Sequence, residues 1–166
     1  MTQITTPRDL FLHELGDIMY VEQKLSTEVL PKLVSEVTDE ELRDALEQHL
    51  EQTKRHLTNV EKVFEELGES PHAEQCIGFE GLKAEHDKLL SESSPDLVDS
   101  IDLGAAARTE CYEIAAYEGL RRMAKAMGED RAVDLLDRNL EEEKDALKTV
   151  EKIATRVSKE SAQALA

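Results

Sequence analysis

The chain is short of several residue types, and each shortage excludes a class of protein. There is no tryptophan, and three phenylalanines with three tyrosines bring aromatic residues to only 4% of 166, which disfavours a sheet protein. Two cysteines, Cys76 and Cys111, stand 35 residues apart with no C-x-x-C pair, so they suggest neither a disulfide framework nor a zinc knuckle and read as reduced thiols. Four prolines and seven glycines are too few for a disordered or low-complexity chain. No apolar run reaches the roughly 18 residues of a membrane span. The opening Met-Thr-Gln-Ile-Thr-Thr-Pro lacks the basic start and apolar stretch of a secretory leader, and a cytoplasmic protein is expected. Positive charge is scarce too: 20 Lys+Arg face 37 Asp+Glu, a formal net charge of −17. So negative a surface repels phosphate backbones and anionic head groups, which argues against nucleic acid and membrane as partners. The expectation is one domain, residues 1–166, large enough to bury well over half of its unfolded surface.

What is present is helical periodicity almost throughout. A first helix is expected over about 7–37, opened by Thr6-Pro7, with Phe11, Leu15, Ile18, Glu22, Leu25, Val29 and Leu33 inward and a kink near its end at Pro31. A second, over about 39–67, opens on a capping box of Thr38 with Glu41 and stops at Gly68; its stripe is Leu42, Leu46, His49, Thr53, His56 or Leu57, Val60 and Phe64. Segment 69–95 contains Pro71, Gly78, Gly81 and a Ser-Glu-Ser-Ser-Pro stretch, and reads as a long crossover holding one short helix around 79–90. The third helix, about 96–127, ends at Gly128 and turns Leu103, Ala106, Glu110, Glu113, Tyr117, Leu120 and Met127 inward. The fourth, about 129–160, does the same with Val133, Leu136, Leu140, Glu143, Leu147 and Val150. Two short connections and one long one describe an all-α, ferritin-like four-helix bundle.

Each stripe is apolar except near its middle, and the interruptions share one height. Glu22 lies 16 residues before Thr38, and Thr53 and His56 lie 15 and 18 after it; Glu113 and Glu110 lie 15 and 18 before Gly128, and Glu143 lies 15 after it. At 1.5 Å per residue these are roughly 22–27 Å from either end, the midpoint of helices about 45 Å long. Taken singly, each has a bland reading. Glu143 sits in the run Glu141-Glu142-Glu143 and a lone core histidine is more often a hydrogen-bonded structural residue. Together they form a central layer of carboxylates that would cost several kcal/mol each unless protonated, hydrated or neutralised. No Lys or Arg falls on the stripes; Lys144 and Arg108 only flank them and reach the rim. A metal cation is the natural counter-charge, and carboxylate with imidazole suits iron or manganese. The candidate ligands are Glu22, His49, His56, Glu110, Glu113 and Glu143, with water entering the layer as the non-metal alternative. His13, His72 and His86 carry no such signal.

Nearly the whole chain, in order, resembles the YciF/YciE-like bacterial stress proteins of the ferritin-like superfamily. The resemblance is carried by Leu10-Phe11-Leu12-His13-Glu14-Leu15, Tyr20-Val21-Glu22-Gln23-Lys24-Leu25, His49-Leu50-Glu51-Gln52-Thr53, Cys76-Ile77-Gly78-Phe79-Glu80-Gly81-Leu82, Glu110-Cys111-Tyr112-Glu113-Ile114-Ala115-Ala116-Tyr117 and Leu140-Glu141-Glu142-Glu143-Lys144. It implies a homodimer related to rubrerythrin-like di-iron proteins, with Glu22, Glu110, Glu113 and Glu143 at the family's carboxylates and His49 at its helix-two histidine. The full di-iron pattern wants Glu-x-x-His on two helices, whereas here the second helix has Thr53-x-x-His56 and the fourth has Glu143 followed by Ala146 and Leu147. Gln52, Cys111 and Leu147 replace ligand types common in the family. Two readings follow: a stress protein whose one or two iron or manganese ions handle iron or peroxide, or a non-catalytic dimeric helical protein with a metal-free polar layer. The redox role comes from the resemblance alone, and no residue is assigned to catalysis.

Overall fold

The structure, a computed structural model, describes residues 3–164, so both ends of the expected span 1–166 lie outside the described residues. Its α-helices are α1 Pro7–Lys24, α2 Leu30–Glu36, α3 Glu40–Glu66, α4 Ile77–Ser91, α5 Val98–Met127 and α6 Asp130–Ala164. Helix α1 begins where Thr6 Oγ1 accepts the Asp9 N–H at 3.1 Å and the Asp9 carboxylate accepts the Thr6 N–H at 2.9 Å. Pro7 in the first turn removes an N–H that has no intrahelical partner there.

The single first helix expected over 7–37 is interrupted by a π-helical turn, Leu25–Val29, ahead of α2. Pro31 cannot donate to the carbonyl of Thr27, and its ring crowds that group. The preceding turn widens in response, and the Leu30 N–H donates to Leu25, five residues back. The extra residue shifts the stripe, so Leu30 is buried in place of the half-buried Val29. The predicted Thr38–Glu41 capping box is also corrected. Asp39 caps α3, accepting the Leu42 N–H at 2.9 Å. Thr38 turns away to Asp99 at the start of α5, its N–H at 2.7 Å and its hydroxyl at 2.5 Å.

Contacts between helix ends establish the topology. Helix α1 runs antiparallel to α3, because Arg8 reaches the Leu67 carbonyl (2.8 Å) and Glu69 (2.9 Å). Helix α3 runs antiparallel to α6, because Arg156 clasps Asp39 at 2.7 and 2.8 Å while Arg131 pairs with Glu66 at 3.4 Å. The Thr38–Asp99 bonds put the starts of α3 and α5 side by side. The crossover therefore returns the chain along the length of the bundle, which is the ferritin-like arrangement. Its helix α4 is slightly longer than expected, is capped by Cys76 Sγ (3.3 Å to the Phe79 N–H), and lies against α5. Crossover and α1 are joined by the Glu74 N–H to Gly16 carbonyl bond (2.9 Å) and by Tyr20 to Glu80 (2.8 Å). A 3-10 turn, Pro95–Leu97, delays α5 to Val98. Gly128 ends α5 at φ 78°, a conformation that glycine adopts without the strain of a side chain.

Phe11, Leu15, Ile18, Phe64, Leu103, Leu120, Leu136 and Ile153 are fully buried and fill the bundle on both sides of its middle. At about 1.5–3 kcal/mol for each such side chain, this apolar mass can offset a polar layer costing several kcal/mol. Both cysteines are free, Cys76 buried and Cys111 exposed. Among the described residues no helix is long and apolar enough to cross a membrane.

Candidate metal centre

All four long helices deliver side chains to the middle of the bundle: Glu22 from α1, His49, Thr53 and His56 from α3, Glu110, Glu113 and Tyr117 from α5, and Asn139 and Glu143 from α6. Every one of these residues is buried, Glu22, Glu113 and Glu143 at 0% exposure. The three consecutive acids on α6 separate as helical geometry demands, 100° per residue. Glu141 faces solvent, Glu142 is half-buried on the flank and Glu143 points inward. Lys144 and Arg108 stay at the rim, paired with Glu141 at 3.0 Å and Glu85 at 3.9 Å.

The six predicted residues come together as two groups that share one member. His49, Glu110, Glu113 and Glu143 each offer a ligand atom, all within 4.8 Å of one another, and so do Glu22, His56 and Glu143. Glu143 faces both ways: Oε2 lies 3.7 Å from His49 Nε2, and Oε1 lies 2.7 Å from His56 Nδ1. His49 Nε2 is also 3.2 Å from Glu110 Oε1, and His56 Nδ1 is 3.5 Å from Glu22 Oε1. Despite these approaches, Glu22 Oε2, His56 Nδ1, Glu110 Oε2 and both oxygens of Glu113 and Glu143 are buried without a hydrogen-bond partner. Lone pairs that converge without bonding to one another are what a cation between them requires.

The outer nitrogen of each imidazole is held by an oxygen, leaving the inner one to face the cluster. His56 Nε2 lies 3.0 Å from Glu142 Oε2, itself bound by Arg55 at 3.1 Å, and His49 Nδ1 lies 3.4 Å from Gln52 Oε1. This is the usual way a protein orients ligating histidines. Tyr117 Oη donates to Glu22 Oε1 and accepts from Asn139 Nδ2 at 3.0 Å. The same amide reaches the His56 carbonyl at 3.2 Å, and Asn59 Nδ2 donates to Asn139 Oδ1 at 2.8 Å.

Electrostatics divide the layer. Burial pushes Glu113 and Glu110 well above the ordinary carboxylate range, and the charge of Glu143 adds to the effect. Burial raises Glu22 as well, moderated by His56. Burial would also raise Glu143, but contact with His56 and the field of His49 hold it below the usual value. For His56, burial disfavours the charge, yet Glu143 and Glu22 outweigh it and raise the imidazole to about 10. His49 goes down, because burial exceeds the opposing pull of Glu143. Without a cation, the stable arrangement is a His56 imidazolium paired with the Glu143 carboxylate, beside carboxyl groups that hold their protons.

Sequence reasoning missed Asn139, Glu142 and a second buried pair, His86 Nε2 to Asp102 Oδ1 at 2.7 Å between α4 and α5. Helical spacing contained each signal. Asn139 is four residues before Glu143, Asp102 eight before Glu110, and His86 seven after Phe79. Tyr20, two residues before Glu22, donates to Glu80 on the crossover helix. Cys111 is exposed, so the departure from the family there does not alter the cluster.

Residues 6–163 match the family described as "Domain of unknown function (DUF892)". Protein YciF of Escherichia coli (strain K12) is 34% identical over 141 residues, covering 84% of each chain. Among solved structures, YcfI from Rhodopseudomonas palustris is similar with a TM-score of 0.86 at 35% identity, over 90% of this chain and 96% of that one. The crystal structure of the E. coli stress protein YciF is similar with a TM-score of 0.84 at 31% identity, over 92% of this chain and 96% of YciF.

Proposed function

The chain belongs to the DUF892 family of YciF-like proteins, and from that membership and the buried cluster we propose that it is a stress protein that holds iron or manganese at the middle of its bundle. One ion would be held by His49, Glu110, Glu113 and Glu143, and a second by Glu22, His56 and Glu143. The observation that carries this reading is the set of unpartnered carboxylate and imidazole atoms converging in a fully buried layer. When bound, the metal supplies a reversible change of oxidation state toward iron itself or peroxide. Glu143 would serve both groups, Glu110 and Glu113 would give up their protons to a bound cation, and Tyr117 keeps the Glu22 carboxylate oriented. The protein is a homodimer in this reading, as the family resemblance implies, and it acts in the cytoplasm.

Elemental analysis of protein purified without chelator or added metal tests it. The expected result is near-stoichiometric iron or manganese that is lost in the Glu22→Ala, Glu113→Ala double variant. A folded, metal-free protein whose melting temperature ignores both ions would overturn it, since a ligand present at a hundred times its Kd and bound only by the folded state stabilises it by about 2.7 kcal/mol. The His56–Glu143 pairing supports a second reading, a non-catalytic helical protein whose polar layer is neutralised by its own protons. That metal-indifferent outcome is what it expects.

A further inference from the structure

A cavity of about 120 Å³ borders the layer on its His49 side. It lies between the layer and the α2–α3 turn, enclosed by those helices, the π-helical turn, α4, α5 and α6. Its walls are mainly apolar, with Leu33, Leu46, Phe79 and Val150 among them, and it owes its room to Ala106 and Ala146. Ala146 stands three residues after Glu143, where the full di-iron pattern carries histidine. The space an imidazole would take there is open. The π-helical turn contributes Leu25 and Val29 to the wall, and such turns recur at functional sites.

Polar groups occur at defined points. His49 and Glu110 line one end and His86, backed by Asp102, lines another. Asp102 and Glu110 are eight residues apart on α5, about 12 Å along the helix. Glu110 is 3% exposed and its Oε2 has no partner. Exposed Gln48, Asp145 and Thr149 edge the side where α3 meets α6, which gives an entry path.

We propose that this cavity binds an uncharged, ring-sized molecule carrying a hydroxyl, a phenol, with the ring among Leu33, Leu46 and Ala106 and the hydroxyl on Glu110. Size limits the body to a single ring, since a closed apolar cavity of about 150 Å³ takes up benzene and this one, about 120 Å³, is open on the side where α3 meets α6. Chemistry selects the single polar group: the walls beside Glu110 are mainly apolar, so one hydroxyl satisfies Glu110 and leaves the rest of the ligand against Leu33, Leu46 and Ala106. Charge excludes anions, which the net charge of −17 and the Glu143 carboxylate repel. A rigid ring also loses less freedom on binding than a flexible chain of equal volume.

The site does not depend on the metal reading, and the test is run on the full chain stripped with a chelator so that the two fail separately. Phenol, benzene and benzoate are titrated by ligand-observed NMR and by melting temperature. Phenol binds saturably and raises the melting temperature; benzene binds about tenfold more weakly for want of one hydrogen bond, and benzoate does not bind. Ala106→Phe fills the cavity and weakens phenol at least tenfold with the helical circular dichroism retained. Should that variant not fold, Ala146→Leu, nearer the opening, serves the same purpose. Absence of saturable phenol binding, equal binding of benzene, or phenol binding undiminished in a folded, filled variant would each overturn the proposal.

Discussion

On the His56 side of Glu143 the surrounding polar groups are tied down by protein: Tyr117 on Glu22, Asn139 on Tyr117 and on the His56 carbonyl, Glu142 on the outer ring nitrogen, and Arg55 on Glu142. On the His49 side, Glu110 and Glu113 keep their protons, Glu110 Oε2 and both Glu113 oxygens stand unpartnered, and the imidazole lies 3.2 Å from Glu110 and, by its outer nitrogen, 3.4 Å from Gln52. One half of the layer is neutralised by a partner already present. The other half is neutralised by protons, which a cation can displace, and it opens on a cavity. The difference implies that the His56 side supplies rigidity while the His49 side supplies the exchangeable chemistry.

The strongest way to break this asymmetry is Glu143→Ala in metal-free protein. It leaves the inner nitrogen of the His56 imidazolium facing only Glu22, at 3.5 Å, with Glu142 still on the outer one, and losing the closest partner of a buried ion pair costs about 3–5 kcal/mol. Denaturant unfolding with chelator present measures it. A loss under about 1 kcal/mol would mean that no charged pair exists there.

A pH titration of stability separates the halves next. Glu110 and Glu113 hold their protons in the fold above the usual carboxylate range, so their contribution is complete below about pH 4.5 and is lost as pH rises. His56, raised to about 10, contributes fully below about pH 6.5 and is lost between there and about pH 10. The lowered Glu143 and His49 act the other way but are complete above about pH 6.5, so metal-free stability falls from there upward, at up to about 1.4 kcal/mol per pH unit for each proton held in the fold but not in the unfolded chain. Iron or manganese should reverse the trend above pH 6, because binding expels those protons. A flat profile in both states would remove the protonated carboxyls from the account.

The fold was legible because its information is local and repeated: a 3.6-residue stripe, a capping threonine before a proline, and glycines just past helix ends. The candidate layer was legible because helix rise turns sequence position into height, which aligned Glu22, His56, Glu113 and Glu143 without knowing any contact. Two kinds of feature escaped. Pro31 marks the place of the π-helical turn but not its form: it predicts a kink, whereas the turn adds a single residue and puts Leu30 in the core in place of Val29. Bonds such as Asn139 to Tyr117 and His86 to Asp102 join residues 22 and 16 positions apart on different helices, and the rotation of each helix determines them. The Thr38 capping box was misread for a related reason, since Asp99 competes for the same hydroxyl from a distant part of the chain.

Tyr117→Phe probes the braced half at smaller scale. It strips Glu22 Oε1 of its donor and Asn139 Nδ2 of one acceptor while keeping the ring, and a buried group left unsatisfied costs about 1–3 kcal/mol. The same change should loosen metal at the Glu22 position more than at the Glu113 position, and elemental analysis under chelator competition distinguishes the two. Equal loss at both would make Tyr117 a general packing residue.

The smallest effect is expected from Glu113→Gln in metal-free protein. Because burial holds a proton on Glu113, the neutral amide has nearly the same shape and charge as the group it replaces. Neither carboxyl oxygen has a hydrogen bond to lose. The change in unfolding free energy should stay within about 1 kcal/mol, in contrast with the 3–5 kcal/mol of Glu143→Ala across the same layer. Metal tells the opposite story, since an amide cannot release a proton to become an anionic ligand, and the position beside His49 should lose its ion. If Glu113→Gln were instead as destabilising as Glu143→Ala, Glu113 would be an ionised partner in the metal-free fold, and the two sides of Glu143 would be built alike.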